Sequence, residues 1–247
     1  MARLAWYRGA LYEAEIWLRV AASHAPAPEA LLGEFACLFA ECGQLERARR
    51  LPGADDALRR MLLADPAVWQ TDLDRLLDPN VGRDPECHGH ALLVGRMALR
   101  RGRLEKAAAH LEEALAEARA RGNALESLRA SVDLAEVRRA TGRPREAHAL
   151  LEDSWDLLAR GPYVLVEADA RLVEAALEMD AGNEAAAIAA ATRAWTLSWC
   201  DGPPYAYQAG LDRAAEILTR LGGSMPTAGR FVGSAQIPLP SVASLPA

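Results

Sequence analysis

Aromatic residues and long apolar runs are both scarce in this 247-residue sequence. Phe, Trp and Tyr make up 6% of the chain, although apolar residues as a whole make up 51%. Most of that apolar fraction is Ala and Leu, which favour helices, whereas β-branched residues are sparse. No stretch reaches the roughly 18 consecutive apolar residues that a membrane-spanning helix needs. The composition therefore predicts an all-α protein that does not cross a membrane.

Cysteines are few, and their spacing does not suggest a disulfide framework. The four are scattered along the chain: Cys37, Cys42, Cys87 and Cys200. Free thiols are typical of a reducing compartment. Near the start, Arg3 and Arg8 interrupt the apolar stretch that a secretory signal requires. We therefore expect a cytoplasmic protein.

Excess positive charge is missing as well. The formal net charge is −6 and the sequence pI is about 5.5. A nucleic-acid-binding domain usually carries a basic patch or stripe. The local arginine pairs at 49–50, 100–101 and 138–139 are more typical of solvated helix faces. We expect no nucleic-acid partner.

The sequence motifs of common enzyme classes do not occur. There is no Gly-x-Ser-x-Gly nucleophile turn. There is also no Gly-x-x-x-x-Gly-Lys-Ser/Thr phosphate loop and no Gly-x-Gly-x-x-Gly dinucleotide turn. Carboxylates are numerous, but they fall mostly on polar helix faces, so no catalytic pair stands out. We predict a non-catalytic protein without a cofactor.

One short segment contains metal-ligand residue types. Cys87-His88-Gly89-His90 places three of them within four residues. A zinc site usually needs a second ligand pair at a defined distance, and none follows here. We interpret this segment as a helix start with incidental histidines and predict no metal site.

A repeated spacing runs through the chain, in which a glycine is followed five residues later by an alanine. The pairs are Gly9 and Ala14, Gly43 and Ala48, Gly102 and Ala107, Gly142 and Ala147, and Gly182 and Ala187. The glycines are 34, 59, 40 and 40 residues apart. Such a glycine ends one helix in the left-handed conformation, and a second helix then begins. The spacing predicts a series of helix pairs.

Two further positions follow the same register. Seven residues before each glycine stands a small residue: Ala2, Ala36, Gly95, Ala135 or Ala175. Nine residues after it stands Leu18, Leu111, Leu151 or Ala191, whereas the second unit departs from the pattern with Pro52. Small residues midway along a helix let two helix axes approach closely, and the larger apolar residues fill the space between pairs. These correlated positions favour a true structural repeat over a chance spacing.

The pattern resembles the tetratricopeptide repeat, a helix-turn-helix unit of about 34 residues. The resemblance covers roughly residues 1–50 and 88–200, and Pro26 falls where that family's unit-closing proline belongs. It departs from the family where first-helix aromatics are replaced by Ala, Leu and Val. The resemblance implies a right-handed superhelical solenoid of antiparallel helix pairs. It also implies a protein- or peptide-binding scaffold rather than an enzyme.

The chain divides into a repeat domain and a tail. Residues 1–222 form the predicted helical repeat domain, in which 54–87 is either a degenerate repeat or an irregular helical insert. A last amphipathic helix is predicted over 204–221, where it caps the solenoid. Residues 223–247 are rich in Gly, Ser, Pro and Ala and are predicted to be a linker or extended tail. Residues 1–8 supply only half of a first helix, so either the start is truncated or the first unit is frayed. We expect that the chain or its ancestor was the C-terminal part of a longer protein.

A second resemblance concerns the end of the repeat domain. The segment Trp199-Cys-Asp-Gly-Pro-Pro-Tyr205 is similar to the closing helices of repeat regions in bacterial multidomain signalling proteins, including NTPase-coupled sensors. This similarity leaves two alternatives to a stand-alone scaffold. One is a sensor or autoinhibitory module of a signalling NTPase or effector system. The other is a helical accessory domain of an enzyme.

The predicted binding surface is the concave face, which the first helix of each pair lines in such a solenoid. Polar residues on that face are Arg96, Arg100, Arg129, Glu136, Arg139, Asp169 and Asp180. We hypothesise that the arginines pair with carboxylates of an extended peptide or of a partner's tail. The alternative is that these are ordinary solvated charges. Exposed solenoid ends can also pair, which leaves homo-oligomers open.

Overall fold

The computed structural model describes residues 1–27, 31–51 and 90–227, and in these ranges it contains helices and turns but no strand. The helices are α1 (Ala2–Tyr7), α2 (Leu11–His24), α3 (Leu32–Glu41), α4 (Leu45–Arg49), α5 (His90–Arg100), α6 (Leu104–Ala120), α7 (Ala124–Ala140), α8 (Pro144–Arg160), α9 (Val164–Asp180), α10 (Glu184–Ser198) and α11 (Gln208–Arg220). None of them combines the length and apolarity needed to cross a membrane. The predicted insert at 54–87 and nearly all of the predicted tail lie outside the described residues.

Helices α5 to α10 form three consecutive antiparallel pairs, and α11 packs after the third. Each helix from α5 onward contacts the next one in the chain, and α7 also contacts α5 and α9. First helices therefore lie beside first helices, as they do in a solenoid. This part of the chain is an all-α helical solenoid, as the sequence predicts.

Tight glycine turns join the helices of each pair. Gly102 and Gly142 have φ angles of 67° and 72°, in the left-handed region. After Gly142, the Arg143 N–H donates to the Arg138 carbonyl at 2.8 Å, which closes the end of α7. The other three predicted turn glycines also have positive φ angles: Gly9, Gly43 and Gly182. All five predicted helix ends are confirmed.

The alanine of each repeat lies where two helices meet. All five have 0% of their surface exposed: Ala14, Ala48, Ala107, Ala147 and Ala187. Helices α5 and α6 approach closely, and a Cβ added to Gly95 would lie 2.7 Å from Leu111 Cγ. The repeated positions of the sequence thus lie at the contacts between neighbouring helices.

Substituting Gly95 with alanine should lower the free energy of unfolding by about 1 kcal/mol. Overpacking against Leu111 costs about 1–3 kcal/mol, and the gain in helix propensity of about 1 kcal/mol offsets only part of it. The matched control is Gly33→Ala in α3, where an added Cβ meets no atom within 4 Å. Urea denaturation measures both variants. Equal stability of the two would contradict a tight α5–α6 contact.

Helices α1 to α4, at the N-terminal end of the chain, pack against the last helix pair, α9 and α10. Helices α1 to α4, which we call the N-terminal unit, share one buried cluster with α9 and with the loop after α10. In that cluster Leu11 and Phe35 lie with Leu165 and Ala168. At Gly9, an added Cβ would lie 3.2 Å from Val164 Cγ1. The chain therefore folds back on itself, instead of continuing one straight stack from its first helix to its last.

The last helix begins four residues later than predicted. Residues 204–207 belong to a loop, and α11 starts at Gln208. The Tyr205 N–H donates to the Gly202 carbonyl, and the Tyr207 N–H donates to the Ser198 carbonyl, both at 2.8 Å. These two hydrogen bonds hold residues 204–207 in a turn, so they do not join the helix.

Candidate functional site: a charged groove

A cavity of about 290 Å³ opens on the face formed by the first helices α5, α7 and α9 and by the start of α11. Its apolar floor consists of Leu99, Val132, Leu172 and Val173. Its polar wall consists of Arg96, Arg100, Asp133, Glu136, Asp169, Tyr207 and Arg213. We call this surface the groove. Helical spacing of three or four residues brings these side chains to one face of each helix.

The structure distributes the seven predicted residues between the cavity and its surroundings. Four of them line the cavity: Arg96, Arg100, Glu136 and Asp169. The other three extend the same charged network: Arg129, Arg139 and Asp180. All seven belong to first helices.

Arg96 is the centre of the first set of ion pairs. Its Nε lies 2.9 Å from Asp133 Oδ2, and its Nη2 lies 3.9 Å from Asp169 Oδ2. The Tyr207 hydroxyl donates to Asp169 Oδ1 at 2.8 Å. Burial raises the pKa of Asp133, and the nearby Arg96 charge opposes that rise. The same pairing, mainly with Asp133, raises the pKa of Arg96, which therefore stays charged.

Glu136 is the centre of the second set. It accepts two hydrogen bonds from Arg139 and one from Arg213, each 3.0 Å long. Arg139 also donates to Asp180 at 2.6 Å. Burial raises the pKa of Glu136, but the hydrogen bonds and charges of the two arginines outweigh it and lower the pKa overall. A carboxylate that a planar guanidinium binds through two hydrogen bonds, in bidentate geometry, is held rigidly and stays ionised.

Most arginines of the groove are thus already paired with carboxylates of the same chain. Arg100 is different, because it lines the cavity, is exposed, and forms no ion pair with any residue that the structure describes. Arg213 is also accessible, with 40% of its side chain exposed. Among the described residues of the groove, Arg100 is thus the accessible arginine without a carboxylate partner, whereas Arg213 is accessible but paired with Glu136.

Three residues of this wall were not among the residues predicted from the sequence: Asp133, Tyr207 and Arg213. Asp133 follows Arg129 by four residues and precedes Glu136 by three, so helical spacing alone would have placed it on the same face. Tyr207 and Arg213 carried no such signal. Their place depends on how α11 packs against α9, which no local pattern specifies.

Two of the three described thiols, Cys42 and Cys200, are buried, and Cys37 is partly buried. Burial raises the pKa of the Cys42 thiol well above its usual value, and it raises that of Cys200 to about 12. Among the described residues, no group of three or more His, Cys, Asp or Glu side chains is arranged to hold a metal ion. Cys87 and His88, and the side chain of His90, lie outside what the structure describes.

Comparison with known proteins gives one match. Residues 89–160, less than a third of the chain, match the family model described as tetratricopeptide repeat. They span α5 to α8, the first two regular pairs of the solenoid. No curated protein and no solved structure matches the chain. The helical architecture and the family match together show tetratricopeptide-like helical repeats in this part of the chain.

Proposed function

We propose that this tetratricopeptide-like repeat protein is a non-catalytic scaffold of the cytoplasm that binds a protein or peptide in its groove. One observation carries the proposal. The groove combines an apolar floor with a charged wall on which Arg100 has no ion-pair partner among the described residues. Repeats of this family generally mediate protein–protein interaction, which supports the same conclusion.

The chemistry of the groove suggests what the partner presents. An apolar side chain fits the floor formed by Leu99, Val132 and Leu172, and burying it would supply most of the affinity. A carboxylate beside that side chain would pair with Arg100. Arg96, Glu136 and Arg139 already have ion-pair partners, so they would fix the shape of the wall, and Arg100 would bind the partner's carboxylate. The expected ligand is therefore an extended segment in which acidic and apolar residues are neighbours.

A sensor or autoinhibitory module is the second candidate, and one observation favours it. The loop that contains Trp199–Tyr205 holds the N-terminal unit against the solenoid, through hydrogen bonds such as that between the Tyr12 N–H and Asp201. An internal contact of this kind is what a regulated module needs. Such a module would act with an NTPase or effector partner.

Selection of random displayed peptides on the full chain tests the scaffold proposal. We expect enrichment of peptides with neighbouring acidic and apolar residues. The Arg100→Glu variant should bind the selected peptides at least about tenfold more weakly, a difference of about 1.4 kcal/mol. The matched control is Arg145→Glu, an exposed arginine on the second helix α8.

The outcomes of this experiment separate the function from the site. A lack of enriched peptides would reject the scaffold function. Enriched peptides that bind the Arg100→Glu variant as tightly as the native protein would reject the groove as their site. If the Arg145→Glu control loses as much affinity for the peptides, the loss is due to the change in overall charge and not to the groove. Circular dichroism and thermal denaturation confirm that both variants are folded.

A further inference from the structure

The loop after α10, residues 199–207, holds the N-terminal unit through three hydrogen bonds between groups far apart in the chain. The Tyr12 N–H donates to Asp201 Oδ2 at 3.0 Å, and the Tyr205 hydroxyl donates to Glu15 Oε2 at 2.8 Å. The Gln44 side-chain amide donates to the Pro204 carbonyl at 2.6 Å. We call residues 199–207 the docking loop. It contacts both α2 and the turn before α4.

The bond to Asp201 compensates for a missing helix cap. Helix α2 is preceded by Ala10, whose side chain cannot cap the first backbone N–H groups. Asp201 supplies a carboxylate to one of those groups, and a negative charge at a helix N-terminus is favourable. Helix α2 therefore gains its cap from a residue almost 190 positions later in the chain.

Docking also brings a carboxylate to the edge of the groove. Glu41 ends α3, and its Oε1 lies 3.8 Å from Arg129 Nη2 of α7. Its other oxygen accepts a hydrogen bond from the Trp6 indole N–H. The negative charge of Glu41 reaches further into the groove, because it contributes to raising the pKa of Arg96. The N-terminal unit thus extends the ion pairs of the first helices with a side chain of its own.

We infer that the N-terminal unit is an internal competitor at the edge of the groove, where Glu41 takes the place on Arg129 that a carboxylate of the partner would take. This inference rests on the proposed function and adds its regulation. A partner segment that carries a carboxylate competes with Glu41 for Arg129. Binding of that partner and docking of the N-terminal unit therefore weaken each other.

The Glu41 contact is well suited to be displaced. Its distance of 3.8 Å exceeds the 2.6–3.0 Å of the ion pairs around Arg139. Arg129 and Glu41 each keep 24% of the side chain exposed, so water and a ligand can reach both. A carboxylate of the partner that binds Arg129 in bidentate geometry would form a shorter and stronger ion pair.

The first test changes Glu41 alone. The probe is a labelled peptide of alternating leucine and glutamate residues, and its affinity is measured by fluorescence anisotropy on the full chain. Glu41→Gln should raise the affinity about fivefold or more, within the usual range of coupling between two binding events. The matched control is Glu46→Gln, an exposed carboxylate of α4 that pairs with Arg49 and should leave the affinity unchanged.

The second test releases the N-terminal unit. The double variant Asp201→Asn, Tyr205→Phe weakens two of the three hydrogen bonds of the docking loop. It should raise amide hydrogen exchange in α1 to α3, leave α7 and α8 protected, and raise the probe affinity as well. Faster exchange in α7 and α8 as well would show that the double variant loses structure throughout. The probe affinity of Glu41→Gln would then decide the question.

The outcomes distinguish this inference from the proposed function. If native protein and Glu41→Gln bind the probe equally, the competition is refuted while the scaffold function stands. If Glu41→Gln binds it more weakly, Glu41 helps to build the site and the inference is wrong. If no form binds the probe or any selected peptide, the scaffold function falls, and the inference falls with it.

Discussion

Replacing Leu111 with alanine should lower the free energy of unfolding by about 2–5 kcal/mol. Leu111 is fully buried in α6 and belongs to the cluster that joins α5, α6 and α7. Its side chain fills the space that the missing side chain of Gly95 leaves open. The repeats on both sides depend on one another, so a cavity here should affect the whole regular array. Urea denaturation followed by circular dichroism measures the loss.

The control for this prediction removes the same number of atoms from the surface. Leu157, also on a second helix, keeps 38% of its surface exposed. Leu157→Ala should cost less than about 1 kcal/mol, because little apolar surface is returned to water. Similar losses in both variants would mean that Leu111 does not lie in a tightly packed interior.

Replacing Glu15 with glutamine should loosen both the N-terminal unit and its contact with the docking loop, with a loss of about 1.5–3 kcal/mol in stability. Glu15 has only 3% of its side chain exposed and pairs with Arg19 and Arg47, each at 2.6 Å. It also accepts the hydrogen bond from Tyr205 of the docking loop. Glutamine keeps the shape but removes the charge that these three donors share. Hydrogen exchange should accelerate in α1 to α3.

The same carboxylate predicts how docking depends on pH. Burial raises the pKa of Glu15, but the hydrogen bonds from Arg47, Arg19 and Tyr205 prevail and lower it below its ordinary value. A lowered pKa means that the contribution to stability is complete above the ordinary value of about 4.3 and is lost as the pH falls through the folded pKa. Glu15→Gln should remove this part of the acid dependence. An unchanged acid profile together with unchanged exchange in α1 to α3 would contradict the assigned role.

Local patterns were enough to predict the helix pairs. Gly142 and Ala147 illustrate the reason, since one ends a helix by its own backbone preference and the other lies at the nearest contact of the next helix. Both effects act within a few residues and repeat along the chain. A solenoid has mainly such neighbour contacts, so its architecture is visible in the sequence.

The rest depends on contacts between distant residues. Glu15 and Tyr205 are 190 positions apart, and neither has a neighbour that signals the other. The start of α11 was misplaced because a Pro-Pro pair is typical of a helix start, whereas Tyr205 and Tyr207 hold a turn there. In the groove, charged positions were predicted from helical spacing. Their partners across helices, such as Asp133 for Arg96, required the packed structure.

The docking of the N-terminal unit on residues 199–207 has a consequence for protein synthesis. Helices α1 to α4 leave the ribosome before the loop that receives them, which follows roughly 150 residues later. At a translation rate of about 5–20 residues per second, this delay is on the order of 10–30 s.

During this delay the apolar side chains of the docking surface, among them Leu11 and Phe35, lack the residues of α9 and of the docking loop that belong to the same cluster in the folded protein. The regular array from α5 onward needs only neighbouring helices and can form as it emerges. We therefore expect the N-terminal unit to dock onto the array late in folding, after the docking loop has been synthesised.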